Sequence, residues 1–298
     1  ECSAFCEMVG TPDQMPRLLD IALRTAVEKQ DVAVLVIPGE TFLAPCPKRR
    51  AGAPIRRIPR VTRPTDAEID RAADTLNASE RVTILAGAGV QGSHDEVVEL
   101  ARALQAPVVH ALRGKEFIEY DNPYDVGMTG LLGFSSGYRA IEKCDTLLMV
   151  GTDFPYEQFY PSKATIIQVD IRGEQIGRRC PVDLPLVGDV GDTARALLPK
   201  ISTGRDSEHL STSLAHYATA RRRLDDLADN DRNRAPIHPQ YLTRLISEKA
   251  DRDAVFIPDV GSPVVWAARY LEMNGAPSLS VPFPSSQKTP GTGGGGAA

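Results

Sequence analysis

The run Gly87-Ala88-Gly89-Val90-Gln91-Gly92 places three glycines in a G-x-G-x-x-G spacing. Glycines so spaced let the backbone approach a diphosphate, and a helix opening behind them offers free N–H groups and the positive end of its dipole. One part of that fingerprint is missing. The next apolar run, Pro107–His110, ends in His110 and not in the Asp or Glu that would bind a ribose about 20 residues on. NAD-dependent dehydrogenase chemistry is therefore disfavoured, and a tight strand-to-helix turn that needs glycine stands as the other reading. A carboxylate does close another apolar run, Ile166-Ile167-Gln168-Val169-Asp170. Ligands bind at the carboxyl ends of parallel strands, so Asp170 reads as an acceptor for a ribose hydroxyl or, alternatively, as a helix cap.

Two loops lie where backbone N–H groups could meet phosphate or flavin heteroatoms. They are Thr129-Gly130-Leu131-Leu132-Gly133-Phe134-Ser135-Ser136-Gly137 and Gly151-Thr152-Asp153-Phe154-Pro155-Tyr156. Two such loops at successive strand ends suit an extended ligand. His94 and His110 could act as ligands or acid–base groups, or serve as hydrogen-bonded structural residues. The five His and five Cys show no metal-ligand spacing, there is no G-x-S-x-G nucleophile run, and Cys144 lies beside an apolar run and reads as core.

Strands alternating with helices must position these residues. Thr65-x-x-Glu68 and Ser93-x-x-Glu96 are capping boxes that predict helices to Ala78 and Leu104. Arg81–Ala86, Pro107–His110, Thr146–Val150 and Thr165–Val169 read as strands, and Asp192–Leu198 as a closing helix. Their alternation predicts a doubly wound, Rossmann-like parallel α/β domain over 65–201. Before it, Met15–Glu28 reads as a helix and Val32–Ile37 as a buried strand, one helix–strand unit with no visible partner strand. Ala44–Pro64 carries Pro45, Pro47, Pro54, Pro59 and Pro64 among Lys48, Arg49, Arg50, Arg56, Arg57, Arg60 and Arg63. Proline at this density forbids a helix, so 46–64 reads as a linker, the alternative being a phosphate-binding basic arm. After the domain, 202–236 holds linker and a helix at Ser211–Ala228. A further α/β unit starts at 237–275, with helices at Gln240–Lys249 and Val264–Met273 around a strand at Ala254–Pro258. Residues 276–298 lack periodicity and read as an unstructured tail.

Composition removes several function classes. The 298 residues carry a net charge of −5, from 34 Lys and Arg against 39 Asp and Glu, which argues against a nucleic-acid binder. The longest apolar run, Val32–Ile37, falls far short of the roughly 20 residues that span a bilayer. Cys2, Cys6, Cys46, Cys144 and Cys180 are scattered and odd in number, so a disulfide scaffold is not expected and a reducing cytoplasm fits. No signal-peptide pattern is visible. Glu1 and the glycine-rich tail lead to the expectation that the chain is an internal fragment of something longer.

Longer strings carry a resemblance. His110-Ala111-Leu112-Arg113-Gly114-Lys115-Glu116 and Tyr120-Asp121-Asn122-Pro123-Tyr124-Asp125-Val126-Gly127-Met128-Thr129-Gly130 resemble the middle domain of the thiamine-diphosphate- and FAD-dependent pyruvate oxidases, or quinone-dependent pyruvate dehydrogenases. The likeness continues through Gly151–Tyr160, Ile166–Asp170, Val187-Gly188-Asp189, Ile237–Tyr241, Asp259–Pro263 and Trp266–Leu271. It implies three α/β domains, with 1–45 the end of a pyrimidine-binding domain, 65–201 an FAD-type central domain and 237–275 the start of a diphosphate-binding domain. It implies flavin contacts at Thr129, Gly130, Leu131, Leu132, Thr152, Asp153, Phe154, Pro155, Tyr156 and Asp170. The implied reaction is oxidative decarboxylation of pyruvate to acetate and CO2, with thiamine diphosphate, Mg2+ and FAD in the full-length enzyme and quinone or oxygen as acceptor. The family's ylid-generating glutamate would fall before Glu1 and its Gly-Asp-Gly metal motif after Tyr270. No catalytic residue and no metal ligand are therefore expected here, and this chain alone is expected to be inactive. The resemblance further implies a homo-oligomer when intact, a cytoplasmic location, and contact with the inner face of the cell membrane only if a C-terminal segment exists. The alternatives are an acetolactate-synthase-like thiamine carboligase and a non-enzymatic nucleotide-binding α/β module.

Overall fold

The computed structural model describes residues 3–29, 31–45, 54–55, 61–230, 235–276 and 279. Most of the proline-rich linker, with Lys48, Arg49, Arg50, Arg56, Arg57 and Arg60, lies outside them, as do Cys2, Cys46 and nearly all of the 276–298 tail. The described residues fall into two compact units, one before Val61 and one from Val61 on.

In the first unit, helix α1 (Met15–Lys29) and the short α2 (Gly39–Leu43) accompany two strands, β1 (Phe5–Met8) and β2 (Ala33–Val36). Phe5 to Met8 pair in parallel with Ala33 to Val36. The expectation of a lone strand is corrected: its partner is Phe-Cys-Glu-Met, four residues too mixed in polarity to announce a strand.

The second unit is built on six parallel strands: β3 (Val82–Ala86), β4 (Val108–His110), β5 (Asp125–Met128), β6 (Thr146–Val150), β7 (Thr165–Asp170) and β8 (Leu184–Val187). Their order is β5-β4-β3-β6-β7-β8, the doubly wound arrangement expected from sequence. The central strands β3 and β6 are buried along their whole length, which suits their mostly apolar runs. Residues alternate between two faces. Ile84, Leu148 and Ile167 pack beneath α3 (Asp66–Ala78), α4 (His94–Leu104) and α7 (Val190–Leu197), through Leu76, Leu100 and Leu197 among others. Leu85, Leu147, Met149 and Ile166 face α6 (Ser135–Glu142) and α8 (Glu208–Asn230), meeting Ile141, Leu214 and Tyr217.

Helix α3 starts as its capping box requires: Glu68 N–H donates to Thr65 Oγ1 at 3.3 Å, and Thr65 N–H to the Glu68 carboxylate at 2.8 Å. Helix α4 starts at the expected place but without its box. Ser93 is buried with no capping bond, and Glu96 pairs instead with Arg195 of α7. A tertiary partner thus took the glutamate half of that motif. Strands β5 and β8 add to those expected from sequence.

Beyond the sheet, α8 packs across α6 and β5, then meets α9 (Pro239–Lys249) and α10 (Ser262–Tyr270). Arg221 of α8 donates to the Arg269 carbonyl at 2.5 Å, and the Tyr270 hydroxyl to the Leu224 carbonyl at 3.2 Å. The strand expected at Ala254–Pro258 is corrected to a single bridge from Phe256 to Leu279, with Val255 and Ile257 exposed. A strand needs a neighbour to satisfy its backbone, and among the described residues this segment meets only that bridge.

Candidate functional site at the carboxyl ends of the strands

All six strands run the same way, so the loops after Ala86, His110, Met128, Val150 and Asp170 share one edge of the sheet. The strand order reverses between β3 and β6, and the G-x-G-x-x-G turn stands there. Four of its amides are already engaged. Gly87 N–H donates to Val150 O at 3.1 Å, Gly89 N–H to Gly151 O at 2.9 Å, Val90 N–H to Gly87 O and Gln91 N–H to Ala88 O. A Cβ on Gly87 would lie 2.5 Å from the Gly151 carbonyl oxygen. The turn winds through a 3-10 segment, Ala88–Val90, and α4 opens only at His94. These glycines bring two backbones together, which is the tight-turn reading.

The loop after β5 differs. Thr129 is 3 % exposed, and its Oγ1 has no hydrogen-bond partner among the described residues. Its N–H donates to the His110 carbonyl at 3.1 Å. Gly130 follows with φ +95°, in the left-handed region, and a Cβ there would lie 3.1 Å from the Phe154 ring and 3.5 Å from that of Tyr156. The loops after β5 and β6 are therefore stacked on each other. Leu131 stands exposed on the edge, while Leu132 packs with Met128, Phe134 and Ala268.

In the loop after β6, Thr152 is buried, and its carbonyl accepts from Gln168 Nε2 at 3.2 Å. Asp153 is held by the Arg179 guanidinium through two bonds of 2.8 and 3.2 Å. Phe154 is buried among Tyr156, Phe159 and Tyr160, its carbonyl taking the Tyr160 hydroxyl at 2.6 Å. Pro155 is exposed and Tyr156 half-buried. At the end of β7, Asp170 is buried and accepts the Arg172 N–H at 2.9 Å, so its carboxyl holds a turn and not a helix start. Burial raises its pKa, against the pull of that amide and of the Arg172 charge.

Sequence reasoning missed two groups. Arg113 follows β4 and Arg172 follows β7. Burial, and Arg172 nearby, bring the Arg113 guanidinium below its ordinary value. Two neighbouring guanidiniums after strand ends suit an anionic ligand group. The second group lies inside the β4–β5 layer. His110 is fully buried, with Nε2 3.5 Å from Asp125 Oδ1 and 3.6 Å from Glu119 Oε2. Lys115, itself buried, pairs with Glu119. Burial pushes the His110 ring down to about 4 and Asp125 well above its ordinary value. The i, i+4 spacing of Lys115 and Glu119 was the one visible signal. His94 is structural: Nε2 donates to the Tyr120 carbonyl at 2.8 Å and the ring stacks on Tyr120. Burial pushes the Cys144 thiol up to about 12, in keeping with a core residue. Among the described residues no cluster of three or more His, Cys, Asp or Glu is arranged to hold a metal, and no helix is long and apolar enough to cross a membrane.

With sheet and strand-end loops in place, comparison defines the class. Residues 69–197 match the family model for the thiamine pyrophosphate enzyme, central domain, and this α/β unit is such a domain. Over 237 residues the chain is 53% identical to "Uncharacterized 42.6 kDa protein in isoamylase 3'region" of Pseudomonas amyloderamosa, covering 79% of this chain and 60% of that protein. It is 31% identical over 274 residues to the putative thiamine pyrophosphate-containing protein YdaP of Bacillus subtilis, 92% of this chain and 47% of that one. To the pyruvate oxidase of Lactiplantibacillus plantarum it is 25% identical over 264 residues, 87% and 43% of the two chains. The chain thus spans between 43% and 60% of these relatives' lengths.

Proposed function

We propose that this chain forms part of a thiamine-diphosphate- and FAD-dependent enzyme that oxidatively decarboxylates pyruvate to acetate and CO2. The observation that carries the flavin half is the orphaned hydroxyl of Thr129. A buried hydroxyl without a partner is costly, and Thr129 Oγ1 sits where the loops after β5 and β6 are stacked, beside the exposed Leu131. A polar ligand atom would satisfy it. In this reading Thr129, Gly130, Leu131 and Leu132 line one side of the cofactor, and Thr152 to Tyr156 support the other. Asp170 offers its carboxyl to a ribose hydroxyl. FAD supplies a two-electron acceptor when bound, and thiamine diphosphate an electron sink for loss of CO2. The protein's part is to hold the loops: Arg179 fixes Asp153, Gly130 admits the Phe154 ring, and the His110 carbonyl fixes the Thr129 amide.

Titration of the chain with FAD, followed by flavin fluorescence, tests this. Thr129→Val keeps the shape and removes the hydroxyl. It is expected to leave stability unchanged or slightly raised, and to weaken FAD binding about fivefold, the worth of roughly 1 kcal/mol for one hydrogen bond. Equal FAD affinity for both proteins would remove Thr129 from the site, and absence of any quenching would remove the flavin.

A carboligase reading has its own support, since the "Probable acetolactate synthase large subunit" of Methanocaldococcus jannaschii matches this chain at 28% identity over 218 residues. Products separate the two. The protein carrying this chain, given pyruvate, thiamine diphosphate, Mg2+, FAD and an electron acceptor, is expected to yield acetate. Acetolactate as the main product would establish the carboligase.

A further inference from the structure

His110 closes β4 and Asp125 opens β5, and the two strands lie side by side. Their side chains meet inside the layer between the sheet and α8, at 0 % and 6 % exposure. His110 Nδ1 is 3.3 Å from the Ala111 carbonyl, so that nitrogen carries a hydrogen and Nε2 is left as an acceptor. Nε2 faces Asp125 Oδ1 at 3.5 Å, and neither atom has a hydrogen-bond partner among the described residues. Two bare acceptors facing each other in a buried place repel, and one proton between them satisfies both. The surroundings decide which group carries it. From α5 (Lys115–Ile118) and the turn after it come Lys115 and Glu119, paired with each other; from α8 come Tyr217, whose hydroxyl hydrogen-bonds the Asp125 carboxyl, and Arg221 near Tyr217; from α6 comes the Ser136 hydroxyl, on Val126 O. Glu119 supplies its negative charge to Lys115. A carboxylate at Asp125 would stand beside Glu119 with no cation of its own, and an imidazolium at His110 would carry its charge in a fully buried place near Lys115, a cost that outweighs the pull of Glu119 3.6 Å away. A neutral ring facing a neutral carboxyl avoids both.

We propose that His110 and Asp125 hold one proton between them, borne by the carboxyl and directed at Nε2, and that this proton seats the loop at 129–134. The connection is short. The His110 carbonyl takes the Thr129 N–H at 3.1 Å, and the Met128 carbonyl takes the Phe134 N–H at 2.7 Å, so both ends of the loop hang from the β4–β5 pair. The Tyr217 ring lies against Gly127, where a Cβ would come within 2.8 Å of it, and the Gly127 amide lies beside the Asp125 carboxyl. When the pair loses its proton, a second carboxylate appears next to Glu119 and faces the Nε2 lone pair. That repulsion spreads β4 from β5 and frees the loop. His110 and Asp125 are thus positioning residues, and their link to a ligand rests on the flavin reading above.

Two measurements on the full chain test this without FAD. Nitrogen-15 NMR of the imidazole near pH 6 should show one protonated ring nitrogen, Nδ1, and a bare Nε2. An imidazolium there would overturn the placement of the proton. Amide hydrogen exchange of Thr129 and Phe134, corrected for intrinsic rates, should lose at least tenfold protection as pH rises from 6 to 9.5. In Asp125→Asn, whose amide donates to Nε2 at every pH, protection should stay constant. Parallel loss in both proteins would overturn the link to the loop. If the variant does not fold, the wild-type imidazole spectrum and exchange profile still decide each half. Because neither readout involves flavin, failure of the FAD titration and failure of the shared proton are seen separately.

Discussion

Gly151→Ala is expected to destabilise the second unit by roughly 3–5 kcal/mol, enough to unfold a domain of ordinary stability in mild denaturant. Two costs combine. The residue has φ +58°, a conformation that alanine adopts only at a penalty of about 1 kcal/mol or more. The added Cβ would also lie 2.5 Å from Gly89 Cα and 2.6 Å from Gly89 C, atoms of a backbone that cannot rotate aside. Two other glycines separate these costs. Gly92 has φ +76° with open space around it, so Gly92→Ala should show the strain alone, about 1 kcal/mol. In Gly89→Ala the Cβ would meet Gly151 Cα at 2.6 Å without a positive φ, so it should show the clash alone. Urea midpoints of the three variants make the comparison. A Gly151→Ala loss no greater than that of Gly92→Ala would mean that the crossing at the switch point yields easily, and the tight-turn account would fail.

The same crossing explains how much of the site could be read from residue order. A glycine spacing tells that two things come close and not what they are. Here the approaching partner is the backbone after β6, and four of the amides a phosphate could use donate to protein carbonyls. The loops after β5 and β6 were legible because Gly and Ser cluster after apolar runs, a local signal. The structure adds that they stack, through Gly130 on Phe154. The group around His110 was not legible, since its members stand at 110, 115, 119, 125 and 217 and meet only once β4, β5, α5 and α8 are assembled.

The fold shows the same division. β3, β6 and β7 are mostly apolar runs, buried along nearly their whole length, and each was visible. β5 reads Asp-Val-Gly-Met and β8 reads Leu-Pro-Leu-Val. Asp, Gly and Pro are depleted in strands, and both segments are sheet edges, where pairing on one side tolerates them. The Thr65 box formed, with Glu68 bonded back to Thr65, whereas Glu96 turned to Arg195. Local rules held where tertiary contacts left them alone.

The buried pair also governs how stability follows pH, and the sign can be worked out. The His110 ring, ordinarily near 6.5, titrates at about 4 in the fold, and Asp125, ordinarily near 3.8, is raised well above that, both through burial first. With the proton on the carboxyl as proposed, the unfolded chain between pH 4 and 6.5 carries one proton on the imidazole, and the folded chain carries one on Asp125. The counts are equal, so this pair makes stability flat in that window. Above about 6.5 the unfolded imidazole sheds its proton while the folded pair keeps its own. Stability then falls by about 1.4 kcal/mol per pH unit until the folded pair also ionises. In Asp125→Asn only the imidazole remains. The unfolded chain then binds the extra proton between pH 4 and 6.5, so stability rises with pH there and levels off above. The difference between wild type and variant should therefore shrink by about 1.4 kcal/mol per unit from pH 4 upward for as long as the folded carboxyl keeps its proton, since every other titrating group cancels. Urea unfolding of both proteins at pH 5, 6.5 and 8 measures it. A difference that stays constant across those three points would mean that Asp125 is ionised in the fold, and the single buried proton would have no place to reside.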